Sequence, residues 1–261
     1  KIIFNKEGVM NSYEFNEAII NSNKRFTYNE VEFLLQDKEI NISSKILQSI
    51  IALKKLTKKL LKERLKRNAL EIDSSEPVLK FNNKDGISEI SVPKRLFAHQ
   101  MIEEAMISAN ICAAKFIRKH LGFGIYRVHE EPENLKIENL KKFFSLKGLS
   151  SKSFSDTLEI INGFIGHVNK NEENKMLNIL ILQSLKRAQY STKEVGHFGL
   201  QLKEYSHFTS PIRRYPDLIS HRLIKNILNK EVQSQSIEHL EETLSELSSL
   251  EKRAENSSRQ V

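Results

Sequence analysis

The stretch EYSHFTSPIRRYPDLISHRLI, residues 204–224, governs how this chain reads, because it gathers two histidines, three arginines, two tyrosines and an aspartate around a Ser-Pro step. Ser210 ahead of Pro211 predicts a helix opening: the Ser side chain caps, and Pro at the first helical position lacks an N–H that would have no partner there. The free N–H groups of Ile212 and Arg213 would then point out of the helix start, where the backbone dipoles favour an anion. Arg213 and Arg214 add planar guanidinium forks that match phosphate oxygens. Pro216 forces a break and restart, with Asp217 in the first turn of a helix to about residue 228 and His221 one turn further on. Spacing alone leaves three uses open. The cluster handles phosphate, or it is an intramolecular salt-bridge cluster in which Asp217 and His221 orient one another, or His207, Asp217 and His221 bind a metal.

Composition narrows the field. The chain has 261 residues, enough for a real core in one domain or two, and a net charge of +8 from 41 basic and 33 acidic side chains. That balance favours a polyanionic partner. The single cysteine, Cys112, excludes a disulfide framework and fits a reducing compartment. No apolar run reaches membrane-spanning length, and the first residues, KIIFNKEG, lack a signal peptide's apolar stretch, so the expected location is the cytoplasm. Gly and Pro are scarce, at 9 and 5 residues, and neither a linker nor a repeat is visible.

Along the chain, residues 1–5 and 9–20 read as two strands of a hairpin, and Thr27 as the cap of a short helix to about Gln36. A long helix from Ser43 or Ser44 to about Asn68 keeps Ile46, Ile50, Leu53 and Leu60 on one face and lysines on the other; the lysines read as a solvated face rather than an RNA rail. Two short strands flank the turn Asn82 to Gly86. A helix from about Pro93 to His120 follows, with Ile102, Met106, Ala109, Ala113 and Phe116 as its buried stripe and His99, Glu103 and Asn110 at the edge. A carboxylate at such an edge needs a partner or a ligand, and Glu103 reads first as half of an ion pair. An IYRV strand leads to helices near 133–147, 153–167 and 172–190. Leu240, Leu244, Leu247 and Leu250 mark a final amphipathic helix. The expected fold class is α/β in the mixed α+β sense, mostly helical with a few antiparallel strands.

The motif HFTSPIRRYPDLISHR resembles the signature of the ribonuclease II / ribonuclease R family of processive 3′→5′ exoribonucleases. Four blocks agree with it in order: SYEFNEAIINSNKRFTYNEV (12–31), MIEEAMISANICAAKFI (101–117), LGFGIYRVHEEP (121–132) and GHFGLQLKEYSHFTSPIRR (196–214). The resemblance implies single-stranded RNA as partner and nucleoside 5′-monophosphates as products. It implies that Arg213 is catalytic at the scissile phosphate, that Arg214 holds a neighbouring phosphate, and that Ser210 and His207 also contact RNA. Tyr28 and Glu103 are assigned to the sugar, where a phenol and a carboxylate can both bond the 2′-OH. At Ile72 the family often carries a base-stacking aromatic; without it, a clamp worth roughly 1–3 kcal/mol per base is weakened.

Family members hold magnesium with an aspartate cluster of the form D-x-x-x-x-x-D-x-D-D. No such cluster stands here, and Asp37, Asp73, Asp85, Asp156 and Asp217 are isolated. The expectation is therefore a partial catalytic domain across 1–261, with no metal ligands of its own and without the downstream oligonucleotide-binding barrel of its relatives. Two other readings are an RNA-binding relative without activity and a basic helical scaffold. Oligomeric state is not legible.

Overall fold

The computed structural model describes residues 1–36, 42–72, 78–82, 86–91, 95–146, 148, 156–169, 177–231 and 236–258. The chain opens with strand β1 (Ile2–Phe4) paired antiparallel to β2 (Met10–Tyr13), Ile2 opposite Tyr13. Gly8 in their turn has φ +94 and lies so close to the next helix but one that a Cβ would come within 2.7 Å of the Lys59 Cβ. Only glycine fits both demands.

Helix α1 (Tyr28–Leu35) begins with a capping box: Thr27 Oγ1 accepts from the Glu30 N–H at 3.2 Å, and Glu30 accepts from the Thr27 N–H at 2.6 Å. Ser43 caps α2 (Ser44–Lys66) with its side chain alone, Oγ accepting from the Ile46 N–H at 3.4 Å. Strands β3 (Val78–Phe81) and β4 (Ile87–Ser91) form a second antiparallel pair, and residues 83–85 of the expected turn lie outside the described residues. Helix α3 (Phe97–Leu121) ends at Gly122, φ +79, a left-handed stop that glycine adopts without strain. Pro93, its expected start, is also outside the described residues.

Strand β5 (Tyr126–Val128) is followed by α4 (Asn134–Leu146), α5 (Thr157–Val168) and α6 (Leu177–Ser184), and then by β6 (Gln189–Ser191), which pairs antiparallel with β5. The last elements are α7 (Tyr215–Asn229) and α8 (Ile237–Ser258).

Two apolar cores carry this arrangement. One joins α4, α5 and α6 through Ile137, Leu140, Phe144, Ile161, Phe164 and Ile181, with the Phe144 and Phe164 rings stacked at 4.1 Å. Ile72 packs against this core, so the position where an aromatic was expected is an aliphatic packing residue here. The other core gathers Ala113 and Ile117 of α3, Tyr190 of β6, Ile219 and Leu223 of α7, and Leu240 and Leu244 of α8. Cys112 is buried and its thiol pKa is pushed up to about 11, chiefly by desolvation.

Three expectations need correction. Strand β2 stops at Tyr13 rather than 20. The helix expected to reach 190 ends at Ser184, because 189–191 pairs with β5 and cross-strand pairing overrides local helical spacing. The buried face of α3 is turned from the expected stripe: Ile102 is exposed, while Met101, Glu104, Ile107, Ser108 and Ile117 are buried, since α3 is packed by α1, α2 and α7. The mixed, mostly helical class with short antiparallel strands stands as expected. Among the described residues, no helix is long and apolar enough to cross a membrane.

The stacked ring pair yields a stability test. Phe144→Ala should destabilise the chain by about 3–5 kcal/mol, the range for deleting a fully buried ring. Urea unfolding measures it, and a loss below about 1 kcal/mol would mean that the α4–α6 core is not packed as described.

Candidate functional site

The 204–217 segment does not form the helix opening that Ser210-Pro211 predicted. It is a turn, and α7 starts only after Arg214, with Pro216 in its first turn, where a missing N–H costs nothing. The Ser210 carbonyl accepts from the N–H groups of Arg213 and Arg214 at 3.2 and 3.1 Å, so the Arg213 amide is used inside the turn and does not face outward.

Asp217 closes this turn. Its side chain is fully buried, and Oδ1 accepts from the Ser210 N–H at 2.8 Å and from Arg214 Nη2 at 2.7 Å. A buried carboxylate without such partners would be strongly destabilising, so these contacts fix the backbone from 210 to 217. Arg214 is thus held inward, with only a fifth of its side chain exposed. Arg213 stays exposed and, among the described residues, has no carboxylate within ion-pair distance.

The rest of the loop is clamped by its neighbours. Asn110 of α3 donates through Nδ2 to the Tyr205 hydroxyl, and its Oδ1 accepts from the Phe208 N–H, both at 3.0 Å. Ser206 bonds the Ile125 carbonyl, and the Arg127 N–H bonds the Tyr205 carbonyl at 2.8 Å. His221 stacks on Phe208 at 4.1 Å, and its Nε2 meets the Phe208 carbonyl at 2.8 Å. His207 Nδ1 meets the Tyr190 hydroxyl at 2.8 Å.

These contacts bear on two options left open by spacing: the ion pair of the salt-bridge reading forms, between Arg214 and Asp217. Asp217 and His221 do not orient one another, since each has other partners. The trio His207, Asp217 and His221 is not a metal site either: among the described residues no group of three His, Cys, Asp or Glu could hold an ion.

His207 is kept neutral. Burial, and after it the positive charges of Arg214 and Arg127, lower its pKa to about 2, while burial and His129 lower that of His197 to about 3. What His207 can offer a nucleic acid is a ring and not a charge. Arg127, on β5, stands over the Tyr190 ring at 4.5 Å and pairs with Glu251 of α8 through two bonds of 2.6 and 3.1 Å.

Tyr28 and Glu103 come together at the α1–α3 junction. The Tyr28 ring, nearly half exposed, stacks on His99 at 4.0 Å, and Glu103 lies one turn further along α3. Glu103 Oε1 accepts from Arg64 Nη1 at 2.6 Å, and its Oε2 is bonded by Arg95. Burial works to raise the Glu103 pKa, but these two arginines outweigh it and hold the carboxyl below its usual range. Arg64 also binds the buried Glu104 at 2.9 Å.

Tyr205 is buried, bonded by Asn110 and in ring contact with His197 and His207. Burial raises its pKa against the opposing bond from Asn110, and its hydroxyl also feels the charges of Arg214, Asp217 and Glu103.

Sequence reasoning missed Arg64, Glu104, Arg127 and Tyr190. A signal existed for the first: Leu53, Thr57, Leu60 and Arg64 follow one another at helical spacing, which places a cation in the buried register of α2.

Comparisons with known proteins identify a family. The RNB domain family matches residues 1–230. Ribonuclease R of Vibrio parahaemolyticus is 37% identical over 238 residues, covering 88% of this chain and 28% of that protein. The structure of Mycoplasma genitalium RNase R in complex with ribose methylated single-stranded RNA superposes with a TM-score of 0.84 at 26% identity, over 95% of this chain and 39% of that one. A yeast pseudonuclease shares the fold with a TM-score of 0.70 at 18% identity, over 93% of this chain and 30% of that one. The chain thus spans less than a third of the length of the curated relative described here.

The neutral histidines predict a pH dependence. Unfolded histidines bind protons near pH 6.5, whereas folded His197 and His207 do so only near 3 and 2. Their contribution is complete above about pH 6.5 and is lost progressively as pH falls from there toward the folded values, because over that interval the unfolded state binds more protons. The thermal midpoint should therefore drop between about pH 7.5 and 5, where carboxylates contribute little, and His197→Asn should flatten the slope. A midpoint constant across that window would contradict the neutral assignment.

Proposed function

We propose, from the premise that this chain belongs to the RNB domain family, that it is the RNA-handling portion of a 3′→5′ exoribonuclease of the ribonuclease R type. The observation that carries this reading is the Asp217-locked turn, which presents an exposed Arg213, without an ion-pair partner among the described residues, beside an inward-held Arg214. Such an arrangement suits a phosphodiester backbone. Arg213 contacts the scissile phosphate and stabilises charge as it builds in the transition state. Arg214 shapes the turn and leaves part of its guanidinium for a neighbouring phosphate. Ser210 and His207 support the turn from inside, His207 as a neutral ring.

Tyr28 and Glu103 read the ribose. Arg64 and Arg95 hold the Glu103 carboxylate in its charged form and fix its direction, which leaves its remaining lone pairs to accept from a 2′-OH. The flat contact with His99 fixes the Tyr28 ring plane.

Magnesium would supply an activated water and stabilisation of the leaving oxygen in such a hydrolysis. The described residues do not fit it, having no three-ligand group, and Asp37, Asp73 and Asp85 lie outside them. No step is assigned to a metal here. A second reading is an RNA-binding relative without catalysis. Both readings place single-stranded RNA on this surface, and the whole enzyme would act in the cytoplasm and release nucleoside 5′-monophosphates.

Binding should show the signature of backbone contacts. Plotted as log affinity against log salt, single-stranded RNA binding should fall steeply, and Arg213→Ala should reduce the slope by about one unit, the release of one phosphate's counterion. A flat plot would favour the basic scaffold instead.

The sugar readers call for paired measurements. Glu103→Ala should narrow the preference for RNA over matched DNA by about tenfold or more, as expected for losing a hydrogen bond to a charged group. Tyr28→Phe, which keeps the His99 stack, should narrow it less. If the RNA-to-DNA ratio stays fixed while the Glu103→Ala melting temperature drops, Glu103 is only an ion-pair partner.

A further inference from the structure

The two ring nitrogens of His99, in the first turn of α3, have different tasks. Nδ1 accepts from the Leu96 N–H at 3.0 Å, satisfying an amide that a helix start leaves without an internal partner. A neutral imidazole offers one acceptor and one donor, so this bond assigns the proton to Nε2. Among the described residues Nε2 has no partner, and it is not closed off from solvent. Its direction is held as well, because the ring lies against Tyr28 with centroids 4.0 Å apart and planes 27° from parallel. The result is a fixed N–H that can only donate and has nothing in the described protein to receive it.

Glu103 follows His99 by one helical turn, so the two share a face of α3. Chemically it is the complement of His99. A carboxylate held by two arginines can only accept, and its side chain is a third exposed. Arg64 and Arg95 take one position on each oxygen and leave the other lone pairs open. A group that only donates beside a group that only accepts fits a ligand atom that does both. A hydroxyl is such an atom: it gives its one hydrogen and keeps two lone pairs to receive another. The Tyr28 hydroxyl can act in either sense, so it does not by itself fill the donor's place.

We propose that His99 is a further ribose reader, its Nε2–H donating to the 2′-OH whose own hydrogen goes to Glu103. The inference rests on the ribose-reading role proposed above for Tyr28 and Glu103, and adds to it a specificity-determining residue. Deoxyribose satisfies neither group. With DNA in place, the Nε2–H and the carboxylate both face a C–H, and a site built to bond a hydroxyl rejects the analogue lacking it because its own polar groups are left unpaired. The stack on Tyr28 and the bond to Leu96 keep the donor aimed before the sugar arrives, so little side-chain freedom is lost on binding.

The test is the affinity of this protein for matched single-stranded RNA and DNA oligomers, with a melting curve for each variant. His99→Phe keeps a flat ring against Tyr28 and removes the donor. It should narrow the RNA-to-DNA preference by about fivefold, the size of one hydrogen bond between neutral groups, through weaker RNA binding with DNA binding unchanged. His99→Gln should recover part of that loss: its amide oxygen takes the Leu96 N–H, as Gln does in a capping box, while its NH2 still donates. The proposal is overturned if His99→Phe keeps the parent's ratio, if it weakens RNA and DNA alike, or if His99→Gln binds RNA no better than His99→Phe. Where Glu103→Ala narrows the ratio and His99→Phe does not, the ribose reading stands and His99 is only a helix cap. A parent without preference for RNA removes the ribose reading itself, and the part of His99 with it.

Discussion

The carboxylate of Asp217 is the contact on which the candidate site depends. It is fully buried, and one oxygen serves both the Ser210 N–H and Arg214. Burying a charge without partners would cost several kcal/mol, so the two donors must stay where they are. The consequence is a division of labour between adjacent arginines. Arg214 neutralises the aspartate and Arg213 keeps an unshared charge, a difference that identical side chains next to each other in sequence do not suggest.

A second layer of polar contacts holds that turn against the scaffold. Asn110 bonds both Tyr205 and Phe208, tying α3 to the loop at two points. Tyr190, under the Arg127 guanidinium, carries His207. Each of these groups is desolvated, and a half-satisfied network in a low-dielectric interior is costlier than an apolar one. The path of the Arg213 backbone is set by these contacts and by the Asp217 bonds, since no side-chain cap opens α7.

Sequence made the elements legible where local chemistry sets them. Thr27 with Glu30, Ser43 and Gly122 mark helix ends through bonds made within a few residues, and each marks a real boundary. Leu240 and Leu244 are buried as their spacing suggests, whereas Leu250 at the far end of the stripe is exposed. The site was legible as a list of residues more than as an arrangement. Ser210-Pro211 looks like a helix start, but Pro216 lies five residues on and takes that role, because Asp217 then reaches back to the turn. The partners of Glu103 come from residues 64 and 95, and no local pattern announces a pairing across that distance. The face of α3 was misread for a related reason: three helices pack on it, and a single stripe cannot describe a helix covered on several sides.

Strands β5 and β6 lie side by side, Tyr126 opposite Ser191, while everything from α4 to α6 is inserted between them. That excursion leaves and returns at neighbouring points and carries most of its own apolar core. Such a segment behaves as a cassette. Its ends stay pinned to one another by the β5–β6 pairing, so a change of length inside it need not move the two strands. Divergence in length and surface can therefore accumulate between residues 134 and 184 without disturbing Arg213, which makes this the part of the molecule best placed to acquire partners of its own.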